Sequence, residues 1–163
     1  EHNPKILASM LHYCCRVKAD FVARDELEQL GVRAMLNLGH TVAHALETLS
    51  DYRKMKHGTA VALGLACVAR VSRAVGVLSA GELQRIITLV ELFALPTVLP
   101  EAVDLEALIA VMARDKKVSG DRLNMVLLRS IGQPFLQEHV DRELLLAALR
   151  ESLPGVRAAA GTG

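Results

Sequence analysis

Arg33, Asn37, His40, His44 and Glu47 follow one another at steps of three and four residues. On a helix that spacing stacks a cation, an amide, two imidazoles and a carboxylate on one face. Such a face is costly to bury without partners, so something must satisfy it. Two histidines four residues apart can both bind one metal ion, or one can ligate while the other moves a proton. His57, which opens the next apolar run beside Gly58, can return to the same point as a further ligand. Imidazole nitrogen suits zinc among the biological divalent ions, although geometry and availability decide which metal is bound. A core histidine held by one backbone carbonyl does no chemistry, and that plainer reading fits His12 and His139. For His40 and His57 the crowding of polar groups argues against it. The competing reading for Arg33, Asn37 and Glu47 is a hydrogen-bond network between helices.

Lys18, Lys116 and Lys117, together with Arg33, are natural partners for a phosphorylated or carboxylated small molecule. Lys116 and Lys117 follow Asp115 where a helix should end, a place where cations favour the helix dipole without any ligand.

The elements that must position these groups can be read from apolar spacing. Ile6, Leu7, Met10, Leu11, Cys14, Val17 and Phe21 recur at helical intervals and predict an amphipathic first helix from Pro4 to about Asp25. A charged stretch leads to Gly31, a turn or a helix C-cap. A second helix is predicted from about Arg33 to Leu49, then a polar turn at Ser50 to Lys54. The run from His57 to about Val75, rich in Ala, Val and Leu, predicts a central buried helix closed by Gly76. Ser79 and Glu82 form a capping box for a helix reaching Phe93, stopped by Leu95-Pro96. A shorter helix spans Leu105 to Ala113. Beyond the turn residues Ser119-Gly120-Asp121, two short strands flank Gly132, one over Asn124 to Leu128 and one around Phe135. A last helix runs from about Asp141 to Leu153. The expected fold is therefore mainly α, a multi-helical domain over residues 1–155 with a small β-hairpin near its C-terminal end. Residues 156–163 are expected to be a disordered tail. No Gly-rich strand-to-helix loop is present, so a dinucleotide-binding fold cannot be built from this chain.

Composition narrows the function classes. With 52% of its 163 residues hydrophobic and 23% charged, the chain can bury a real core. Its 19 Lys and Arg nearly cancel 18 Asp and Glu, so the net charge of +1 creates no field suited to nucleic acid or an acidic membrane. Apolar runs are broken well before the roughly 18 residues of a membrane span. The N-terminus lacks the order of a signal peptide, and the missing initiator Met reads as a piece trimmed from something longer. Cys14, Cys15 and Cys67 make neither a disulfide framework nor a CxxC metal pair, which fits a reducing cytoplasm. Cys67, inside an apolar run, reads as a small buried hydrophobe.

The segment from Arg33 to Thr41, followed by His44-Ala45-Leu46-Glu47, resembles the signature of 3-dehydroquinate synthases. His57-Gly58-Thr59-Ala60-Val61 is similar to the family's second block. Asp115-Lys116-Lys117-Val118, Asn124 to Leu128 and Ile131-Gly132 are similar to its third, and Lys18-Ala19 before Asp25-Glu26 to the block preceding the first. The resemblance implies the C-terminal, metal-carrying half of an enzyme that uses zinc or cobalt and catalytic NAD to convert the sugar phosphate DAHP into 3-dehydroquinate and phosphate, in the shikimate pathway. It implies His40 and His57 as two of three protein metal ligands, and His44 as a proton-transfer group. Lys18, Arg33, Asn37, His57 and one of Lys116 or Lys117 would hold the substrate, and Glu28 is the best match for a further proton acceptor. The NAD-binding N-terminal domain, acting in cis or in trans, would be the main partner, and a homodimer is expected.

The chain departs from the family pattern in several places. The N-terminal domain and the third ligand, an upstream Glu, are missing, so this chain alone is not expected to turn over. The loop from Lys18 to Arg33 is one residue longer than is common, Thr59 stands where Glu is usual, and Val42-Ala43 replaces an aromatic-Gly pair. Two alternatives remain at this level: another sugar-phosphate cyclase, or a stand-alone metal-binding or oligomerisation module.

Overall fold

Asn3 caps the first helix by accepting the Lys5 N–H at 3.0 Å, and Pro4 stands in the first turn, where its missing N–H costs nothing. The computed structural model describes residues 3–50, 55–114 and 123–155. These fall into two compact units, Glu1–Asn37 and Leu38–Gly163. In the first unit, α1 spans Pro4–Arg24 and buries none of its side chains. It stops at Asp25, where the backbone leaves helical angles.

The loop that follows is organised by that aspartate. Its Oδ1 accepts the N–H groups of Gln29 at 2.8 Å and Leu30 at 2.9 Å, and its Oδ2 accepts the Arg33 N–H at 3.1 Å. The Leu30 N–H, helped by those of Arg33 and Gln29, holds the buried Asp25 carboxyl below its ordinary range against the opposing effect of desolvation. Gly31 lies in the left-handed region within this loop, so it is a turn residue rather than the cap of a helix. A 3-10 helix, Arg33–Asn37, ends the unit.

The second unit contains α2 (His40–Leu49), α3 (His57–Ala74), α4 (Ala80–Leu92), α5 (Leu105–Arg114), β1 (Leu123–Ser130), β2 (Gln133–Val140) and α6 (Arg142–Arg150). As its apolar run predicts, α3 is central: it packs against α2, α4, α6 and β1 and buries eleven of its residues. Leu63, Cys67 and Val71 of α3 join Leu46, Leu108, Met112, Leu127 and Leu149 in one continuous core. The strands pair antiparallel, with Leu127 opposite Phe135, around Gly132 at φ 86°. Ser79 caps α4 as predicted, and Glu82 bridges onward. Its Oε2 accepts the Ser79 hydroxyl at 2.8 Å and its Oε1 accepts the Ile131 N–H at 3.0 Å. The helix thereby ties to the hairpin turn.

Two sequence expectations need correction. The predicted continuous helix from Arg33 to Leu49 is broken, because Gly39 adopts φ 79° and separates the 3-10 turn from α2. The face that was to stack Arg33 and Asn37 above the histidines is thus not one helical face. The last helix ends at Arg150 rather than Leu153, and Ser152 turns inward so that its carbonyl accepts the Leu99 N–H at 2.7 Å. The expected turns at 51–54 and 119–121 and the expected tail at 156–163 lie outside the described residues. Among the described residues no helix is long and apolar enough to cross a membrane.

Candidate metal centre

Gly39 and Gly64 determine how closely the two histidine-bearing helices approach. A Cβ on Gly39 would stand 2.8 Å from the backbone nitrogen of Leu65, and one on Gly64 would collide with the Gly39 carbonyl oxygen. Only glycine at both positions lets the backbones meet there. Since Glu47, late in α2, also reaches His57 at the start of α3, the helices run antiparallel as a hairpin.

That hairpin gathers three imidazoles. The ring centroids of His40 and His57 are 5.7 Å apart, those of His40 and His44 5.6 Å, and those of His44 and His57 6.4 Å. His40 opens α2, His44 lies one turn later on an exposed position, and His57 opens α3 with 61% of its side chain exposed.

Each of the two predicted ligands has one ring nitrogen already engaged. His40 Nδ1 lies 3.2 Å from the Leu38 carbonyl oxygen, and His57 Nδ1 lies 2.9 Å from Glu47 Oε1. Both partners only accept, so in each neutral ring Nδ1 carries the proton and donates it, leaving the lone pair on Nε2. This is the arrangement that metal-binding histidines use, with the outer hydrogen bond orienting the ring and raising its basicity. Glu47 itself is buried. Among the described residues no group of three or more His, Cys, Asp or Glu side chains forms a complete metal site. The described chain offers two donors of the right kind rather than a closed cage.

Beside these helices lies a cleft of about 570 Å³ between α2 and α5, lined by Thr41, His44, Glu47, Thr48, Met112 and Arg114 among others. It is polar at His44 and Arg114 and apolar at Met112, the mixture expected of a pocket for a small polar ligand.

The other predicted site residues fall in the first unit or outside the described residues. Lys18 stands exposed on α1, and Glu28 is exposed in the Asp25 loop at φ 56°. Arg33 begins the 3-10 helix, where its Nη1 donates to the Glu26 carbonyl at 3.3 Å, and Asn37 ends that helix. All four belong to the first unit. Lys116 and Lys117 lie outside the described residues.

Sequence reasoning missed Asp25 as the organiser of the loop carrying Glu28. The signal was present, because an aspartate closing a helix and followed by Gly six residues later favours such local backbone capture. It gave Glu47 a hydrogen bond between helices, which the contact with His57 bears out, but not the partner. A carboxylate at helical spacing from two histidines names a face, but a helix has no way of announcing which residue of its neighbour will arrive there.

Comparison with known proteins gives the fold first. The fold is shared with solved sugar-phosphate cyclases. A 2-deoxy-scyllo-inosose synthase complexed with carbaglucose-6-phosphate, NAD+ and Co2+ aligns over 93% of this chain and 44% of its own, with a TM-score of 0.76 and 23% identity. A 2-epi-5-epi-valiolone synthase from Streptomyces hygroscopicus with NAD+ and Zn2+ bound aligns over 91% and 40%, with a TM-score of 0.76 and 21% identity. The chain belongs to the 3-dehydroquinate synthase C-terminal family, which matches residues 1–118. The 3-dehydroquinate synthase of Nitrosococcus oceani is 44% identical over 90% of this chain and 41% of its own length. That of Shewanella loihica is 46% identical over 81% and 37%, and that of Legionella pneumophila 39% identical over 96% and 42%. The chain thus spans about two-fifths of the length of these relatives.

Proposed function

We propose that this chain is the metal-binding half of a 3-dehydroquinate synthase, a lyase that converts the sugar phosphate DAHP into 3-dehydroquinate with loss of phosphate. The observation that carries the reading is the pair His40 and His57, each with Nδ1 engaged by an acceptor and Nε2 left as donor. Identities of 39% to 46% with relatives bearing that activity favour it over the other cyclases, whose identity is 21% to 23%. His40 and His57 would hold a zinc or cobalt ion through Nε2, a donor set that suits either metal. A third protein ligand would come from the N-terminal half, which would also hold the NAD. When bound, the metal lowers the cost of removing a proton from a substrate hydroxyl.

The chain's own residues bind, orient and move protons. His44, on the wall of the cleft and one turn from His40, would carry a proton between substrate and solvent. Arg33, Asn37, Lys18 and one of Lys116 or Lys117 would hold the phosphate and carboxylate, with guanidinium and ammonium groups neutralising charge at the two ends of the substrate. His57 would also touch the substrate, and Glu28 would accept a proton. Residues 1–155 would act as one functional domain, with the N-terminal half in cis or in trans, as a cytoplasmic homodimer.

The test is zinc binding by the 163-residue chain, followed by competition with a chromogenic chelator. His40→Ala and His57→Ala are each expected to lose most of the zinc affinity. Equal affinity in His40→Ala and the parent would remove the ligand assignment. For His44, the chain reassembled with an N-terminal half is expected to lose turnover in His44→Ala while keeping zinc. Full activity would refute its proton-transfer role.

A further inference from the structure

Glu47 is a buried carboxylate whose Oε1 accepts the Nδ1–H of a largely exposed imidazole, 2.9 Å away. A buried carboxylate is expensive to desolvate, and a helix-to-helix contact here could be made by an apolar side chain at no such cost. The exposure of His57 makes the asymmetry informative. With 61% of its side chain in solvent, the ring gains little orientation from packing, and among the described residues the hydrogen bond to Glu47 is the polar contact that orients it. Glu47 is in turn held by the core: Leu46 beside it is 1% exposed and Ala43, one turn before, is fully buried.

We infer that Glu47 is a positioning residue for His57. It fixes the Nδ1–H tautomer, presents the Nε2 lone pair outward, and enriches that nitrogen in electron density. The inference rests on the reading of His57 as a metal ligand. It also accounts for the choice of residue at the last turn of α2. The backbone carbonyl of Leu38 performs the same service for His40. For His57, at the first turn of α3, a side chain from the facing helix makes the corresponding contact.

Two readouts on the full 163-residue chain separate this role from a structural one. Long-range 1H–15N spectra of the metal-free chain report the tautomer directly. In the parent and in Glu47→Gln, His57 is expected to be protonated on Nδ1, since the amide oxygen accepts the same bond, whereas Glu47→Ala is expected to give a mixture of tautomers. Zinc affinity by chelator competition is expected to fall about 10- to 100-fold in Glu47→Ala, the range for losing such outer partners, with Glu47→Gln in between. If Glu47→Ala does not fold, Glu47→Gln carries the test: reduced affinity with an unchanged tautomer supports the role, and unchanged affinity overturns it. An unaltered tautomer and affinity in folded Glu47→Ala also overturns it. A parent chain whose tautomer depends on Glu47 but which takes up no zinc would overturn the ligand reading of His57 instead.

Discussion

The helix α1 and the helix α3 have similar apolar content at helical spacing, yet α1 buries none of its residues and α3 buries eleven. In the first unit order comes from polar capture of backbone: one aspartate accepts three N–H groups and shapes the loop after α1. In the second it comes from close packing around α3, including a glycine-to-glycine approach that leaves no space for a methyl group. The proposed chemistry divides in the same way. The histidines proposed as metal ligands stand on the packed hairpin, and Lys18, Glu28, Arg33 and Asn37, proposed to meet the substrate, stand on the unit held by polar capture. A metal ligand must be held to within a fraction of an ångström, whereas a long cationic side chain reaches its anion through its own rotamers.

The largest effects expected from breaking this contrast lie in the packed hairpin, at Leu46→Ala and at Gly64→Ala. The new methyl group would meet the Gly39 carbonyl, a backbone atom that cannot rotate away, and would also stand 3.3 Å from the Ala43 nitrogen. Overpacking of a tight core costs about 1–3 kcal/mol, and a collision with backbone belongs at the top of that range. Urea unfolding followed by circular dichroism should show a lowered midpoint at unchanged slope, together with weaker zinc binding as α2 is pushed away from α3. Leu46→Ala, which leaves a cavity in the same core, should cost about 2–5 kcal/mol. A Gly64→Ala protein as stable as the parent would mean that the hairpin can open there without penalty.

Much of the second unit was legible because its signals are local or periodic. The run from His57 to Ala74, the Ser79-Glu82 cap and the strands about Gly132 each carry their instruction within a few residues. The break at Gly39 was not legible. Apolar residues continue through it at helical spacing, and a glycine inside such a pattern is compatible with either an unbroken helix or a left-handed kink. What decides is the approach of Gly64, 25 positions later in the chain, which no local pattern contains. The candidate site divides along the same line. His40, His44 and His57 could be proposed from type and spacing and have ring centroids within 6.4 Å of one another, but while His40 Nδ1 meets the local Leu38 carbonyl, the partner of His57 Nδ1 is a side chain from across the hairpin. Tertiary contacts of that kind have no sequence signature of their own.

A smaller and more local effect is expected at Asp25. Its carboxyl is held below its ordinary value of 3.8, first by the Leu30 N–H and then by those of Arg33 and Gln29. A group depressed in the folded state stabilises it above the unfolded value and loses that contribution as pH falls through the folded one. The loop should therefore be intact from neutrality down to about pH 5 and loosen below about pH 4. Amide resonances of Gln29, Leu30 and Arg33 followed through an acid titration should move together in that window, with the resonances of α3 unaffected. In Asp25→Ala the same three amides should lose protection at pH 7. Asp25→Asn should retain the contacts of one oxygen and lose the Arg33 contact. Separate titration of the three amides would mean that something other than the single carboxylate holds them.

The smallest effect is expected on α1 itself. Ile6 is 67% exposed and Leu11 60%, so truncating either removes little apolar surface from cover in this chain. Ile6→Ala and Leu11→Ala should each change the unfolding free energy by no more than about 0.5 kcal/mol, the usual span for surface substitutions. The same contrast should appear in thiol chemistry. Cys14 and Cys15 are exposed on α1, whereas Cys67 is buried in α3, its thiol pushed up to about 11 chiefly by desolvation, with the Ser152 hydroxyl and Arg70 opposing. A thiol reagent at pH 8 should modify two cysteines in the folded chain and the third only after denaturation. Slow modification of Cys14 and Cys15, together with a loss from Ile6→Ala approaching that of Leu46→Ala, would mean that the apolar stripe of α1 is covered in solution. The difference between the two helices would then lie in what they pack against, not in how much they bury.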